Sequence, residues 1–239
     1  MKRALVTGGS GEIGSAICRG LARQELHVIV HGNRNLTRAE SVAEEIIAGG
    51  GSAEAVAFDV ADARKTEVVL NGLLEKAAIQ VLVNNAGYHD DAPMAGMTAT
   101  QWKQVVDVCL NGFFNVTQPL LLPMMQTRWG RIVNISSVAG IMGNRGQANY
   151  AAAKAGLHGA SKTLALELAS RGVTVNTVAP GIIAGSMTED VFPEEMIKQT
   201  VPMKRAGQPE EVASLVSYLT SDSAGYISGQ IISINGAMC

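Results

Sequence analysis

The feature that most constrains the fold is a glycine-rich turn close to the start of the sequence. The apolar run 3–7 predicts a buried strand, the turn Gly8-Gly-Ser-Gly-Glu-Ile-Gly14 follows it, and residues 15–24 have helical periodicity. Glycines between a strand and a helix let the backbone approach a pyrophosphate at the positive end of the helix. Gly9, Gly11 and Gly14 satisfy G-x-G-x-x-G in this context, so the turn predicts a dinucleotide site.

Strand-like and helix-like segments alternate along the rest of the sequence. Such alternation implies parallel pairing with right-handed crossovers. We therefore predict an α/β fold, a single-domain doubly wound parallel sheet of the Rossmann type with helices on both faces. The domain spans 1–239, with 1–90 mainly binding cofactor and 91–239 forming the catalytic and substrate half. Further strands are predicted over 27–31, 53–58, 79–83, 131–135, 173–178 and 231–234, and helices over 36–48, 62–77, 99–110 and 208–220.

The bulk composition narrows the function classes. Of 239 residues, 47% are hydrophobic and 17% charged, which supports a large buried core. The formal net charge of −2 provides no basic field, so no nucleic-acid partner is expected. Cys18, Cys109 and Cys239 are widely separated, which predicts reduced thiols and no metal site. No signal peptide or membrane-spanning apolar stretch is recognisable, so we expect a cytoplasmic protein without a membrane partner.

The most informative stretch is the fifth strand with the segment after it. Arg131–Ile135 predicts a buried strand with Ser136 and Ser137 at its carboxyl end, where ligands bind in open α/β sheets. An alanine-rich helix follows, on which Tyr150 and Lys154, four residues apart, share one face. A nearby ammonium favours the phenolate form of a tyrosine, which suits general acid–base catalysis. Such a pair is common on helices, so a catalytic role for it depends on the neighbouring motifs.

These residues resemble a known family. Ser137, followed thirteen positions later by Tyr150 and then by Lys154, resembles the active site of the short-chain dehydrogenase/reductase family. Within it, Gly146–Gly156 resembles the bacterial 3-oxoacyl-[acyl-carrier-protein] reductases, and the resemblance covers essentially the whole sequence. It implies that Tyr150 protonates the developing alkoxide, Ser137 holds the oxygen, and Lys154 assists the tyrosine and grips the ribose. Asn111 would hold a water in the proton path.

The resemblance also implies where the cofactor binds. An aspartate after the third strand would contact the adenine, the turn Asn84-Asn-Ala-Gly87 matches the family without change, and the nicotinamide would follow the sixth strand. The implied cofactor-binding residues are Gly8, Ser10, Gly11, Glu12, Ile13, Gly14, Asn33, Arg34, Asp59, Val60, Asn85, Ala86, Gly87, Tyr150, Lys154, Pro180, Gly181 and Ile183.

The end of the second strand indicates which cofactor is preferred. Dehydrogenases that use NAD typically place an acidic residue there, on the ribose 2′-hydroxyl. This sequence has Gly32-Asn33-Arg34 instead, and a guanidinium suits a 2′-phosphate. We therefore expect NADPH, with NADH still possible. A solvated loop arginine is the alternative interpretation of Arg34.

Two positions depart from the pattern of the reductases. Glu12 stands where they have the middle glycine of T-G-x-x-x-G-x-G, and Gly185 stands where a threonine helps to hold the nicotinamide carboxamide. Because a carboxylate facing a phosphate would repel it, Glu12 is expected to point away from the cofactor. Ser186 or Thr188 would have to replace the threonine contact.

Substrate and partners also rest on the resemblance. It implies a 3-oxoacyl thioester bound to acyl carrier protein, with Arg128 and Arg171 steering that acidic carrier near the site entrance. It further implies a homotetramer built by the final elements, and a substrate lid over 185–201. The alternative for Arg128 and Arg171 is that they are ordinary surface charges. The alternative for the lid segment is ordinary apolar packing. Two other functions stay open, a ketoreductase for a different alcohol or ketone and, less expected, a non-catalytic subunit of a mixed tetramer. The apolar residues of the lid segment are Met187, Phe192, Met196 and Ile197.

Overall fold

A seven-stranded parallel sheet forms the centre of the computed structural model, which describes residues 1–185 and 193–239. The strands are β1 (Arg3–Val6), β2 (His27–Gly32), β3 (Ser52–Ala57), β4 (Val81–Asn84), β5 (Gly130–Ile135), β6 (Val173–Pro180) and β7 (Ile231–Ile234). They lie in the order β3-β2-β1-β4-β5-β6-β7. This is a doubly wound topology, and it confirms the predicted fold class.

Helices cover both faces of the sheet. They are α1 (Glu12–Ala22), α2 (Leu36–Ala48), α3 (Ala63–Lys76), α4 (Ala99–Val106), α5 (Gly112–Gln126), α6 (Ala139–Met142), α7 (Ala148–Leu168), α8 (Glu194–Thr200) and α9 (Pro209–Thr220). Helices α1, α2 and α9 pack through one apolar cluster, and α3, α5 and α7 pack through another on the opposite face. The strands between them are buried on both sides, as parallel strands require.

The predicted elements are present with shifted ends. Helix α1 begins at Glu12 because Gly11 already serves as its N-cap, so the last residues of the glycine turn are helical. Strand β6 continues to Pro180, which pairs with Ile234 of β7. Helix α9 begins after Gln208, whose side chain forms a reciprocal capping box with Glu211.

The interruption predicted near Asn111 is a π-helical turn. The turn Asp107–Asn111 joins α4 to α5 in one helical run. Inserting such a turn changes which residues face inward, and π-bulges often occur at functional sites. The residue after the turn is Gly112, and a glycine is needed there because a Cβ would lie 2.8 Å from Val60 Cγ2. As a result Cys109 is buried and Asn111 is exposed.

The same helical run corrects the expectation that no apolar stretch is long enough to span a membrane. Residues 99–126 are long and apolar enough to cross a membrane by length and composition, with 39% of the most apolar window buried. Val116, Leu120 and Met124 of this run pack in the apolar cluster beneath the sheet. The core helix of a soluble protein passes the same test, so the length and composition alone are weak evidence.

A buried polar network ties the centre of the sheet to α7. Asn84 Nδ2 donates to Asn134 Oδ1 at 2.8 Å, linking β4 to β5. Asn134 Nδ2 donates to Ser161 Oγ at 2.7 Å, and Thr177 of β6 donates to the same oxygen at 2.9 Å. Buried polar groups are tolerated only when paired, so this network fixes α7 over the carboxyl half of the sheet.

Candidate active site

The start of α7 carries the two residues of the predicted acid–base pair. Tyr150 lies in the first turn of this helix and Lys154 lies one turn further along. Tyr150 is half-buried and Lys154 is buried, with the Lys154 Nζ 5.5 Å from the centroid of the Tyr150 ring. The shared helical face that the sequence predicts is therefore present.

Strand β5 holds Lys154 in place. The Lys154 Nζ donates a hydrogen bond of 2.8 Å to the carbonyl oxygen of Ile135. The Ser136 hydroxyl donates to the Lys154 carbonyl at 3.1 Å. Gly140 packs so tightly on α7 that a Cβ there would lie 2.9 Å from the Lys154 carbonyl carbon. The carboxyl end of β5 and the start of α7 therefore form one rigid unit.

Ser137 lies on this unit, directly after Ser136. It is half-buried, and its Oγ accepts a hydrogen bond of 3.1 Å from the N–H of Ala139. That bond leaves the hydroxyl proton available to a ligand. Ser137, Tyr150 and Lys154 are thus brought to one edge of the sheet.

Asn111 does not join them. Its exposed side chain donates to Asp107 Oδ1 at 2.9 Å within the π-helical turn, and Asp107 also pairs with Lys103. The inward position of the turn is taken by Cys109, whose Sγ exchanges hydrogen bonds of 3.3–3.4 Å with the backbone of Tyr88. The predicted role of Asn111 in the proton path stays a prediction.

The glycine turn is fastened to the turn after β4. The Thr7 hydroxyl accepts from the N–H groups of Asn85 and Ala86 at 3.0 Å each. Asn85 Nδ2 donates to the carbonyl of Gly8 at 3.1 Å, and a Cβ on Gly14 would lie 2.8 Å from that nitrogen. A side chain would not fit at Gly14, and this close packing explains why the motif has a glycine at that position.

The beginning of α1 is open to a ligand. Gly11 is the N-cap of this helix and has no side chain that could accept from the N–H groups of the first turn. Ser10 beside it is half-buried, while Ile13 packs against the apolar cluster. Free N–H groups at a helix N-terminus bind phosphate oxygens well.

His31 supports the glycine turn, a role that no sequence pattern indicates. Its Nδ1 accepts from the N–H of Gly8 at 2.9 Å, and its Nε2 lies 2.8 Å from the carbonyl of Phe58. These contacts require a proton on Nε2 and none on Nδ1. Burial lowers the pKa of His31 to about 4, so the ring is neutral.

The turn after β3 is held by side chains of the turn itself and of α5. Asp59 Oδ1 accepts from the N–H of Ala61 at 3.0 Å, and the carbonyl of Val60 accepts from Asn115 Nδ2 at 2.8 Å. Asn115 is a supporting residue that sequence patterns did not identify. At the end of β2, Asn33 and Arg34 are both exposed.

The predicted nicotinamide side lies after β6. The N–H of Gly181, which follows Pro180, donates to Ile234 at 3.0 Å, and Ile183 forms an isolated parallel bridge with Gly207. A Cβ on Gly181 would lie 2.9 Å from Asn235, so the close approach of the two segments requires a glycine at this position. Of the predicted lid, Ser186, Met187, Thr188 and Phe192 lie outside the described residues, and Met196 and Ile197 lie on α8.

Glu12 and Gly185, the two residues that depart from the pattern of the reductases, lie next to each other in the structure. A Cβ on Gly185 would overlap the carboxylate of Glu12, and no backbone atom is among its nearest contacts. Glu12 therefore reaches from the start of α1 to the loop after β6. The expectation that Glu12 points away from the cofactor stays a prediction.

Arg128 and Arg171 lie at the other end of the sheet. They precede β5 and β6, whereas Ser137 follows β5. Arg128 Nη2 lies 3.5 Å from the carbonyl of Ser170, so the two arginines are on neighbouring turns. A six-residue strand spans roughly 20 Å. Within one chain the two arginines therefore lie at the opposite edge of the sheet from Ser137, and their role in steering the carrier stays a prediction.

Comparison with known proteins agrees with this geometry. The family model for short chain dehydrogenases matches residues 2–196. The chain belongs to the short-chain dehydrogenase family. The resemblance inferred from Ser137, Tyr150 and Lys154 is thereby confirmed, and the chain is an oxidoreductase that acts on CH–OH groups.

Similar proteins cover nearly the whole chain. The chain is 48% identical to a 3-oxoacyl-[acyl-carrier-protein] reductase of Synechocystis sp., covering 98% of this chain and 96% of the relative. It is 44% identical to one of Staphylococcus aureus over 99% of this chain and 98% of the relative. A third, from Aggregatibacter actinomycetemcomitans, is 40% identical over 98% of each chain.

Membership of the family implies a nicotinamide dinucleotide cofactor, and the residues present fit one. The uncapped start of α1 suits a diphosphate, and a Cβ on Gly87 would lie 3.6 Å from Lys154 Nζ, so the ammonium borders the turn after β4. Among residues 1–185 and 193–239, no group of three His, Cys, Asp or Glu side chains is arranged to hold a metal ion.

Proposed function

We propose that this protein reduces the keto group of a 3-oxoacyl thioester on acyl carrier protein to the 3-hydroxyacyl thioester, with NADPH as cofactor. The arrangement of Ser137, Tyr150 and Lys154 at the carboxyl end of β5 carries the proposal. The substrate class is supported by the reductases of Synechocystis sp. and Staphylococcus aureus, which are similar over nearly their whole length.

The catalytic roles follow from the positions of the side chains. NADPH, when bound, supplies a hydride to the ketone carbon. Ser137 donates a hydrogen bond to the ketone oxygen, and Tyr150 transfers its proton to that oxygen as the alcohol forms. The buried Lys154 ammonium, 5.5 Å from the ring centre, stabilises the tyrosinate that remains.

The choice of NADPH rests on the end of β2. Asn33 and Arg34 follow Gly32 with no acidic residue among them, and Arg34 is exposed where it can meet a 2′-phosphate. Guanidinium binds phosphate oxygens in a bidentate manner, whereas a carboxylate would favour the 2′-hydroxyl of NAD.

A homotetramer in the cytoplasm is part of the proposal. The final elements carry exposed aromatic side chains, since Tyr226 is fully exposed and Tyr218 is 48% exposed. Strand β7 is also the edge of the sheet. Such edges and apolar side chains are commonly covered by a neighbouring subunit. Light scattering after size-exclusion chromatography measures the number of subunits.

The deciding experiment is steady-state reduction of a 3-oxoacyl thioester on acyl carrier protein and on a small thiol, with NADPH and with NADH. We expect NADPH-dependent turnover that is faster on the carrier, and its loss in Tyr150→Phe. If NADH serves equally well, the assignment of Arg34 is wrong. If neither thioester is reduced, the substrate is wrong even where the oxidoreductase assignment stands.

A ketoreductase for another ketone is the second candidate. It is favoured by the Glu12–Gly185 contact, because both residues depart from the pattern of the acyl-carrier-protein reductases. Faster turnover of a free ketone than of either thioester would select this function. A non-catalytic subunit is disfavoured because Ser137, Tyr150 and Lys154 are all present.

A further inference from the structure

A histidine stands beside the catalytic tyrosine and has no part in the chemistry described so far. The rings of His89 and Tyr150 lie 6.3 Å apart between centroids and are nearly perpendicular, at 73°. His89 Nδ1 lies 3.2 Å from Asp91 Oδ1, and no hydrogen bond of Nε2 is found among the described residues. The His89 side chain is 44% exposed, so the free nitrogen is open to a ligand.

The loop that carries His89 is attached to the helix that carries Tyr150. Asp91 Oδ2 accepts from Gln147 Nε2 at 2.8 Å, and Gln147 is the N-cap of α7. The N–H of Ala92 donates to Gly146 at 2.9 Å. The loop after β4 is therefore attached to the segment just before Tyr150 on this side.

A second set of bonds holds the same loop from below. The buried Asn149 donates through Nδ2 to the carbonyl of Asp90 at 3.0 Å, while its Oδ1 accepts from the N–H of Tyr150 at 2.8 Å. Gln101 of α4 donates to Asp90 Oδ1 at 2.8 Å. These bonds fix Asp90 and Asp91, and with them the loop that carries His89.

We propose that His89 is a substrate-binding residue that donates a hydrogen bond from Nε2 to the thioester carbonyl of the 3-oxoacyl substrate. This inference rests on the proposed function. In a 3-oxoacyl thioester, one methylene separates the ketone from the thioester carbonyl. With the ketone oxygen on Tyr150 and Ser137, the second carbonyl falls beside the tyrosine, where the imidazole lies.

Nδ1 of His89 faces the Asp91 carboxylate, which leaves Nε2 as the ring nitrogen that faces a ligand. A ring that donates to Asp91 through Nδ1 can donate to a ligand through Nε2 only when both nitrogens carry a proton. A site built to bond a second carbonyl discriminates against ketones that lack one, because its donor is left unpaired. His89 thus selects 3-oxo thioesters over simple ketones.

The test compares two substrates in matched variants. For His89→Ala we expect kcat/KM on a small 3-oxoacyl thioester to fall about tenfold, with less than a twofold change on a cyclic monoketone. His89→Gln keeps an N–H donor and should recover part of the loss. Tyr88→Phe is the control: it removes from the same loop a hydroxyl whose one contact among the described residues is a long one, 3.5 Å from Asp90 Oδ2, and it should behave as wild type.

A second measurement does not depend on turnover. In NMR spectra of the complex with oxidised cofactor, adding the 3-hydroxyacyl thioester should shift the His89 ring signal, which is assigned by its absence in His89→Gln. A secondary alcohol without the thioester should leave it unmoved. An unmoved signal, or equal kinetic losses on both substrates, would overturn the role of His89. Failure of the wild-type enzyme on thioesters would instead overturn the proposed function, and this inference with it.

Discussion

The carboxylate of Glu12 lies in the space that a side chain at Gly185 would occupy. One residue begins α1 and the other ends the described loop after β6, so the contact crosses the carboxyl edge of the sheet, where the family binds its cofactor. The negative charge of Glu12 therefore stands close to the path of an anionic ligand.

Removing that charge should strengthen cofactor binding. For Glu12→Gln we expect the Kd of NADPH to fall several-fold, about 0.5–1 kcal/mol, because repulsion at an exposed site is screened. Fluorescence titration at low and high salt measures it, and salt should shrink the difference. Glu44→Gln, an exposed change on α2, is the control. Equal affinities for the two variants would contradict the placement of Glu12.

The contact also predicts coupling between the two positions. Gly185→Thr must push the flexible Glu12 side chain aside and also places a β-branched residue at a φ of +158°, so stability should drop by about 1–3 kcal/mol. In a Glu12→Gly background the displacement is removed and only the backbone strain remains. A double-mutant cycle on NADPH affinity should therefore be non-additive. Additive effects would show that the two residues act independently.

Tyr150→Phe should separate catalysis from folding. Within the described residues, the Tyr150 hydroxyl makes no hydrogen bond, so its removal should change the free energy of unfolding by no more than about 0.5 kcal/mol. Turnover should fall by about 10² to 10⁴, the usual contribution of a general acid. Urea denaturation and steady-state kinetics on one preparation measure both quantities.

Lys154→Met is the informative companion variant. It removes the charge near Tyr150 and also leaves the carbonyl of Ile135 without its donor. We expect a comparable loss of turnover together with a stability cost of about 1–3 kcal/mol. Full stability in Lys154→Met would contradict the bond to β5.

The sheet could be predicted from sequence because its strands are short apolar runs bounded by glycine, asparagine and helix caps. Helix α2 and strand β7 have the predicted bounds. Tyr150 and Lys154 could be paired because four residues on a helix fix their relative direction. Local periodicity sufficed in each of these cases.

Other relationships depend on where distant segments meet. The π-helical turn changes which residue faces inward, and no propensity distinguishes it from an ordinary kink, so the exposure of the Asn111 side chain could not be predicted from the sequence. Glu12 and Gly185 are far apart in the sequence, so only the fold shows that they are in contact. A match to the family does not show which edge of the sheet Arg128 and Arg171 occupy, because the direction of the strands decides it.

Asn111→Ala tests the predicted role of Asn111 in the proton path. Within the described residues its exposed side chain bonds Asp107 of the same helix and no other group, so we expect kcat/KM to stay within about twofold of wild type and stability within about 0.5 kcal/mol. Asn115→Ala is the contrasting variant, since it removes the donor to the Val60 carbonyl and should weaken cofactor binding. A large catalytic loss in Asn111→Ala would support its place in the proton path.

Arg34→Ala should change the cofactor preference. An exposed arginine that binds the 2′-phosphate should raise the KM for NADPH about tenfold when removed, with little effect on NADH. Arg38→Ala on the exposed side of α2 is the matched control, because it removes the same charge one turn away. Equal changes for both cofactors would mean that Arg34 contributes only general charge.

His31 should make stability depend on pH. Its pKa is about 4 in the folded protein against an ordinary value of 6.5, because burial disfavours the charged ring. As pH falls below 6.5 the unfolded chain takes up the proton first, so the stability that neutral His31 provides is complete above that pH. It is lost progressively down to about pH 4, by at most about 3 kcal/mol.

His31→Gln should remove that part of the pH dependence. The variant loses the bond to the Gly8 N–H in its native geometry and should be less stable at pH 7.5, but its stability should fall less between pH 6.5 and 4.5. Urea unfolding at those three pH values gives the comparison. Cofactor affinity in the wild type should also fall over this range, because a protonated ring cannot accept from Gly8. Parallel pH profiles for the two proteins would mean that His31 is not the group responsible.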